Sequence, residues 1–272
     1  MQRARGKLPI YLIAVLVFSS CLVHFFQLLR FTDKSTGYIN GSTIMPVIVY
    51  VLVFAAVGLA GFYSNRCENL MPIDLSDGNR RLYFSSVFLS VTMFADFLHK
   101  CFRCYDYISK TAYVEYAYII PLVLSGLAAL ICCFYFAVFS ITAKGSNYDF
   151  RNFTFLHLVP VLWSFTRLIL IMIKIVDVKQ DSDTVLEFLL LSFMLMFFFS
   201  YVLILDNSGR ASKLFVFSAL STFVIASVIA LPRIAIIITG KGEVLYPVDY
   251  TSISYFAAGL FAVLQIKHEK LN

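Results

Sequence analysis

Long apolar stretches separated by short polar segments set the pattern of this chain. Runs of spanning length, about 20 residues each, fall at Leu8–Leu29, Ile44–Ser64, Leu82–Lys100, Glu115–Phe139, Phe153–Lys174, Thr184–Leu205, Leu214–Thr239 and Tyr250–Ile266. They predict an all-α polytopic transmembrane helix bundle of about eight helices in four hairpins. The third run is diluted by Asp96 and His99, and the eighth is short. The polar segments between runs are too short to fold alone, so residues 1–272 read as a single integral membrane domain. The longest of those expected on the inner face, Asn65–Arg81, carries Pro72, Asp74, Asp77 and Gly78, a composition suited to turns. Pro121, Pro160 and Pro232 lie in or near predicted helices, where each removes a backbone donor and is expected to kink its helix.

Composition sharpens this picture. Hydrophobic residues make up 60% of the chain, charged residues only 14%, and the mean hydropathy is +0.82, far from a soluble domain. The net charge of +6 is scattered over short loops rather than gathered in a stripe, which argues for a topology signal and against nucleic-acid binding. Placing the N-terminus in the cytoplasm puts twelve basic residues inside, Arg3, Arg5, Lys7, Arg66, Arg80, Arg81, Lys144, Arg151, Arg210, Lys213, Lys267 and Lys270, against eight outside. Both termini are therefore expected in the cytoplasm. The opening Arg3, Arg5 and Lys7 before an apolar run resemble a signal peptide, but the run is too long and lacks a small-residue cleavage site. It reads as an anchor helix.

Charges inside the apolar runs are the candidate chemistry. Arg167 lies deep in the fifth run and Arg233, after Pro232, in the seventh. A guanidinium in hydrocarbon costs at least about 2.5–3.5 kcal/mol and cannot shed its proton, so each demands partners, water or a function. His24, Asp96, Arg167 and Arg233 recur once per hairpin, each in an odd-numbered helix, suggesting a degenerate repeat. Each also precedes a basic residue by about one to two helical turns (Arg30, Lys100, Lys174 and Lys241 respectively), which places all four in the outer half of the membrane. Glu115 and Glu187 add carboxylates at the outer ends of the fourth and sixth helices. Should the odd helices gather on one axis, these groups would meet where two arginines could hold a carboxylate or phosphate. The competing reading is structural: Asp96 pairs with one arginine, and the charges only fix helix contacts.

Cys101 and Cys104 form a CxxC at the outer end of the third helix, flanked by Lys100 and Arg103. A structural disulfide, two free thiols or a redox pair all fit it; a zinc site with His99 lacks a fourth ligand. Cys21, Cys67 and the adjacent Cys132 and Cys133 supply no clear second redox pair. His157 and His268 have no acid or nucleophile nearby in sequence. No phosphate-binding loop, nucleophile elbow, metalloprotease or dinucleotide-binding pattern is present. Enzymatic activity is therefore not expected, and no cofactor is implied. Asn40-Gly41-Ser42 reads as a sequon, and the Phe run after Met196 as a lipid-facing or core surface.

The segment His157-Leu158-Val159-Pro160-Val161-Leu162-Trp163, Arg167, the stretch Asp183-Thr184-Val185-Leu186-Glu187, Ser218-Ala219-Leu220 and the pair Pro232-Arg233 resemble uncharacterised multi-spanning membrane proteins of anaerobic Gram-positive bacteria. Those proteins similarly carry a Pro-x-Leu-Trp segment, a helix-five arginine and a late Pro-Arg pair. The likeness covers the second half of the chain and implies a multi-pass protein of a bacterial cytoplasmic membrane, without an activity. From the residues themselves, the leading expectation is transport or sensing of a small anionic solute through an outward-facing polar pocket. A membrane scaffold or subunit, with a membrane-protein partner or a second copy, is the alternative, and a thiol redox protein the third. The lipid bilayer is the common partner.

Overall fold

The computed structural model describes residues 2–32, 44–66, 79–110, 116–145, 154–177, 182–205, 211–241 and 251–266. Eight α-helices fall in these residues: α1 (Gln2–Phe31), α2 (Ile44–Arg66), α3 (Arg80–Lys110), α4 (Tyr116–Ala143), α5 (Val159–Asp177, after a 3-10 turn at Thr154–Leu158), α6 (Ser182–Leu205), α7 (Ser212–Ile238) and α8 (Thr251–Leu264). Seven are long and apolar enough to cross a membrane; α8, with 14 residues, is shorter than a span. Together they make an all-helical integral membrane protein.

The largest departure from the expected boundaries is in α3, which continues ten residues past Lys100 to Lys110. At 1.5 Å per residue its length is about 46 Å, more than the roughly 30 Å of a hydrocarbon core. Hydropathy marks where a helix leaves lipid, whereas backbone hydrogen bonding continues wherever the next turn can form. α3 begins on a side-chain cap, with Asn79 Oδ1 accepting from the backbone N–H of Arg81 at 3.0 Å and Leu82 at 3.2 Å. The Asn79 N–H in turn donates to the carbonyl of Ala143 at 2.8 Å, tying the start of α3 to the end of α4.

Contacts between helices define the architecture. α3 packs on α4, α4 on α5, α5 on α6, α6 on α7, α7 on α8 and α8 back on α3, so six helices close a ring. α1 and α2 pair with each other and lie against α7. A small apolar cluster of Ile13, Val17, Ala56, Ala60 and Val224 seals that junction. The odd helices therefore do not gather on one axis: α3, α5 and α7 alternate with even helices around the ring, and α1 stands beside it. Small residues allow the closest approach. A Cβ added to Gly259 of α8 would lie 2.9 Å from the Ala226 Cβ and 3.2 Å from the Phe223 Cα of α7.

The ring has two unlike halves. At the proximal end, where the odd helices begin, aromatic rings meet across the interior: Phe261 of α8 lies against Phe136 and Phe139 of α4 at 5.2 and 5.4 Å, and Phe136 against Phe198 of α6 at 6.3 Å. These rings fill the core. At the distal end, where the odd helices finish and α4, α6 and α8 begin, the buried side chains include the charged Asp96, Lys100, Arg167 and Asp183 among apolar ones such as Leu122, Leu170 and Leu186.

Candidate functional site: the distal polar half of the ring

Arg167 is 3% exposed, one helical turn distal to the fully buried Trp163 on α5. Its guanidinium donates to the Tyr255 hydroxyl through Nη2 at 2.8 Å and Nε at 3.3 Å. Its Cζ also lies 5.6 Å from the Tyr255 ring centroid, within cation–π range. α5 and α8 are not neighbours in the ring, so this contact crosses the interior.

Arg233 occupies a different environment. Nη2 donates to Asp183 Oδ2 at 2.8 Å, and Nη1 to Glu187 Oε1 at 3.1 Å and to Ser252 Oγ at 2.9 Å. Two carboxylates on α6 and a hydroxyl on α8 thus grip one guanidinium on α7. The carboxylates lie four residues apart on one face of the first turns of α6, where the helix N-terminus also favours negative charge. His24 joins from α1, its Nε2 3.5 Å from Asp183 Oδ1 and its Nδ1 3.4 Å from Gln27 Oε1. One network therefore connects α1, α6, α7 and α8.

Asp96 pairs with neither arginine. Its Oδ2 accepts from the ammonium of Lys100, one turn on along the same helix. Lys100 is not at the outer interface as its place at the end of the apolar run suggested; it is 3% exposed and also reaches the Ser125 carbonyl of α4 at 3.4 Å. Its position follows from the extra turns of α3 and from Asp96, which supplies a buried counter-charge. The lysine stem packs beside Gly126, its Cβ 3.6 Å from where a Cβ there would lie. Two atoms of this group are buried without a hydrogen-bond partner among the described residues, Asp96 Oδ1 and Ser125 Oγ. α8 completes the wall: Ser254 Oγ donates to the Thr92 carbonyl of α3 at 3.0 Å, beside Tyr255 and its bond to Arg167.

Glu115 lies outside the described residues, as do the side chain of Lys174, Cys67 and the sequon at Asn40. Cys101 and Cys104 are free thiols, Cys101 exposed and Cys104 half-buried, on an unbroken stretch of α3. Among the described residues no group of three His, Cys, Asp or Glu side chains is placed to hold a metal ion. His157 sits proximally, its Nδ1 2.7 Å from the Tyr135 hydroxyl. Sequence reasoning missed Asp183, Ser252 and Tyr255 as site residues. Asp183 is the second residue of α6, one before the apolar run, and the acid pair Asp183 and Glu187 at helical spacing was its available signal; nothing in the sequence set Ser252 or Tyr255 apart.

Apolar helices of spanning length around an ionised core define the class, a multi-pass membrane protein. The chain matches no family model, no curated protein and no solved structure.

Proposed function

We propose that this protein binds a small anionic solute in the distal polar half of the ring, in the service of transport or sensing, with Arg167 as the anion-binding residue. The observation that carries this reading is the Arg167–Tyr255 contact across the interior, distal to the aromatic plug. A phenol hydroxyl is a neutral acceptor, and an incoming carboxylate or phosphate oxygen can take its place without stranding a buried charge. Arg233 differs in this respect. Displacing Asp183 and Glu187 from it would leave two carboxylates buried and uncompensated, a cost that an incoming anion aggravates. Arg233 is thus a clamp between helices, and Arg167 is the residue we assign to the ligand. The positive-inside pattern assigns the distal half to the outside of the cell.

The test is a thermal-shift screen of the purified full-length protein in detergent against organic anions, phosphate, amino acids and anionic lipids. At least one anion is expected to raise the transition temperature of the wild type and to lose that effect in Arg167→Gln while the variant stays folded. Stabilisation that persists unchanged in Arg167→Gln, or no anion effect at all, rejects the reading in favour of a scaffold.

A further inference from the structure

We infer that the solute is an organic anion that also carries a neutral hydrogen-bond donor, a hydroxy-carboxylate being the simplest case, and that Asp96 and Ser125 recognise the hydroxyl. This rests on the anion-binding role of Arg167 and specifies its ligand. The structural alternative for the Asp96–Lys100 pair is weak on geometry. Arg233 joins α7 to α6 and α8, so its ion pairs hold the bundle together. Asp96 and Lys100 lie four residues apart on one helix, and their bond to each other joins no two elements. Burying two such charges costs several kcal/mol per ion before their attraction is counted, and against that cost stands a long hydrogen bond of 3.4 Å from Lys100 to the Ser125 carbonyl of α4.

The pair does present an incomplete set of hydrogen bonds. Asp96 is 2% exposed and Ser125 fully buried, yet Asp96 Oδ1 and Ser125 Oγ have no partner among the described residues. Buried carboxylate and hydroxyl oxygens are rarely left so, and the missing partner is commonly water or a ligand. Asp96 Oδ1 can only accept, while Ser125 Oγ can donate or accept. A hydroxyl satisfies both, donating to the carboxylate and accepting from the serine. Lys100 already neutralises Asp96, so a neutral donor fits better than an ammonium, which would compete with the lysine at close range.

The walls that would hold the two ends of such a ligand are linked through α8. Consecutive residues of α8 touch both walls, Ser254 at the Thr92 carbonyl of α3 and Tyr255 at Arg167 of α5. Asp96 lies one turn, about 6 Å along α3, distal to Thr92. α4, which carries Ser125, packs between α3 and α5. A carboxylate on Arg167 and a hydroxyl at Asp96 and Ser125 therefore describe a small molecule held between α3, α4, α5 and α8.

Matched pairs of probes test this: lactate against propionate and malate against succinate, titrated calorimetrically into the purified full-length protein in detergent. In the wild type the hydroxylated member of at least one pair should bind about three- to tenfold more tightly, the range of one hydrogen bond. Ser125→Ala and Asp96→Asn should reduce that preference while keeping affinity for the plain acid, whereas Arg167→Gln should lose both members. Should Asp96→Asn fail to fold, Ser125→Ala decides alone. Equal binding of both members of each pair, or a preference intact in Ser125→Ala, overturns the inference and leaves the anion site standing. Absence of binding by all four acids overturns it as well. Retention of every affinity in Arg167→Gln counts instead against the anion site.

Discussion

At the scale of residues, two arginines that look equivalent in sequence meet different groups, Arg167 the Tyr255 hydroxyl and Arg233 two carboxylates. Arg233 is held by formal charges, so its removal should be expensive. Arg233→Gln leaves Asp183 and Glu187 close together in a site with little water, and the cost should fall near the low end of about 3–5 kcal/mol, since the side chain retains 14% exposure. Thermal unfolding in detergent measures it. Asp183→Asn placed in the Arg233→Gln background should recover part of the loss, because it removes one of the two stranded charges; a further loss would show that Asp183 has another essential partner. The arginines themselves were legible in the sequence because a charge inside an apolar run stands out. Of the partners described for them, Glu187 was legible too, but Asp183, Ser252 and Tyr255 were not. Asp183 sits where the apolar run had not yet begun, and Tyr255 and Ser252 belong to a helix start that any membrane span could carry. Lys100 was misplaced for a related reason: at the end of an apolar run a lysine looks interfacial until the counter-charge and the continuing helix are seen.

The elements were far more legible than their contacts. Lipid imposes a run of apolar residues on every crossing, and those runs located the eight helices of the described residues. Which helix faces which depends instead on small differences in side-chain volume that hydropathy does not record. The α7–α8 interface illustrates this. Gly259 has no room for a methyl group against Ala226, so Gly259→Ala should destabilise by about 1–3 kcal/mol through overpacking. The compensating Ala226→Gly should restore much of it when combined, and a double-mutant cycle with coupling near zero would show that this contact does not set the spacing of the two helices. Because α8 also carries Tyr255 and Ser252, any displacement of α8 is expected to reach both arginines.

On the scale of the whole molecule, the ring of α3 to α8 and the α1–α2 pair differ in how firmly they are held. α7 is buried along most of its length, whereas much of α2 faces outward. The pair is joined to the rest by that small apolar cluster, by Val49 and Val53 of α2 in the main core, by Cys21 Sγ at 3.5 Å from the Ser227 carbonyl and by the approach of His24 to Asp183. Hydrogen–deuterium exchange in detergent should therefore show α1 and α2 opening before α7 and α4, as regions with fewer buried contacts do; uniform protection would argue that the eight helices open as one unit.

The late position of α7 in the chain has a consequence for biogenesis. When α1 and α2 leave the ribosome, the helix they lie against has not been made, nor has Asp183, which His24 approaches. The first hairpin must wait in the bilayer with a histidine turned toward lipid or neighbouring protein until the translocon has released α6 and α7. A nascent chain halted before Ser212 would carry a pair of helices without their docking surface.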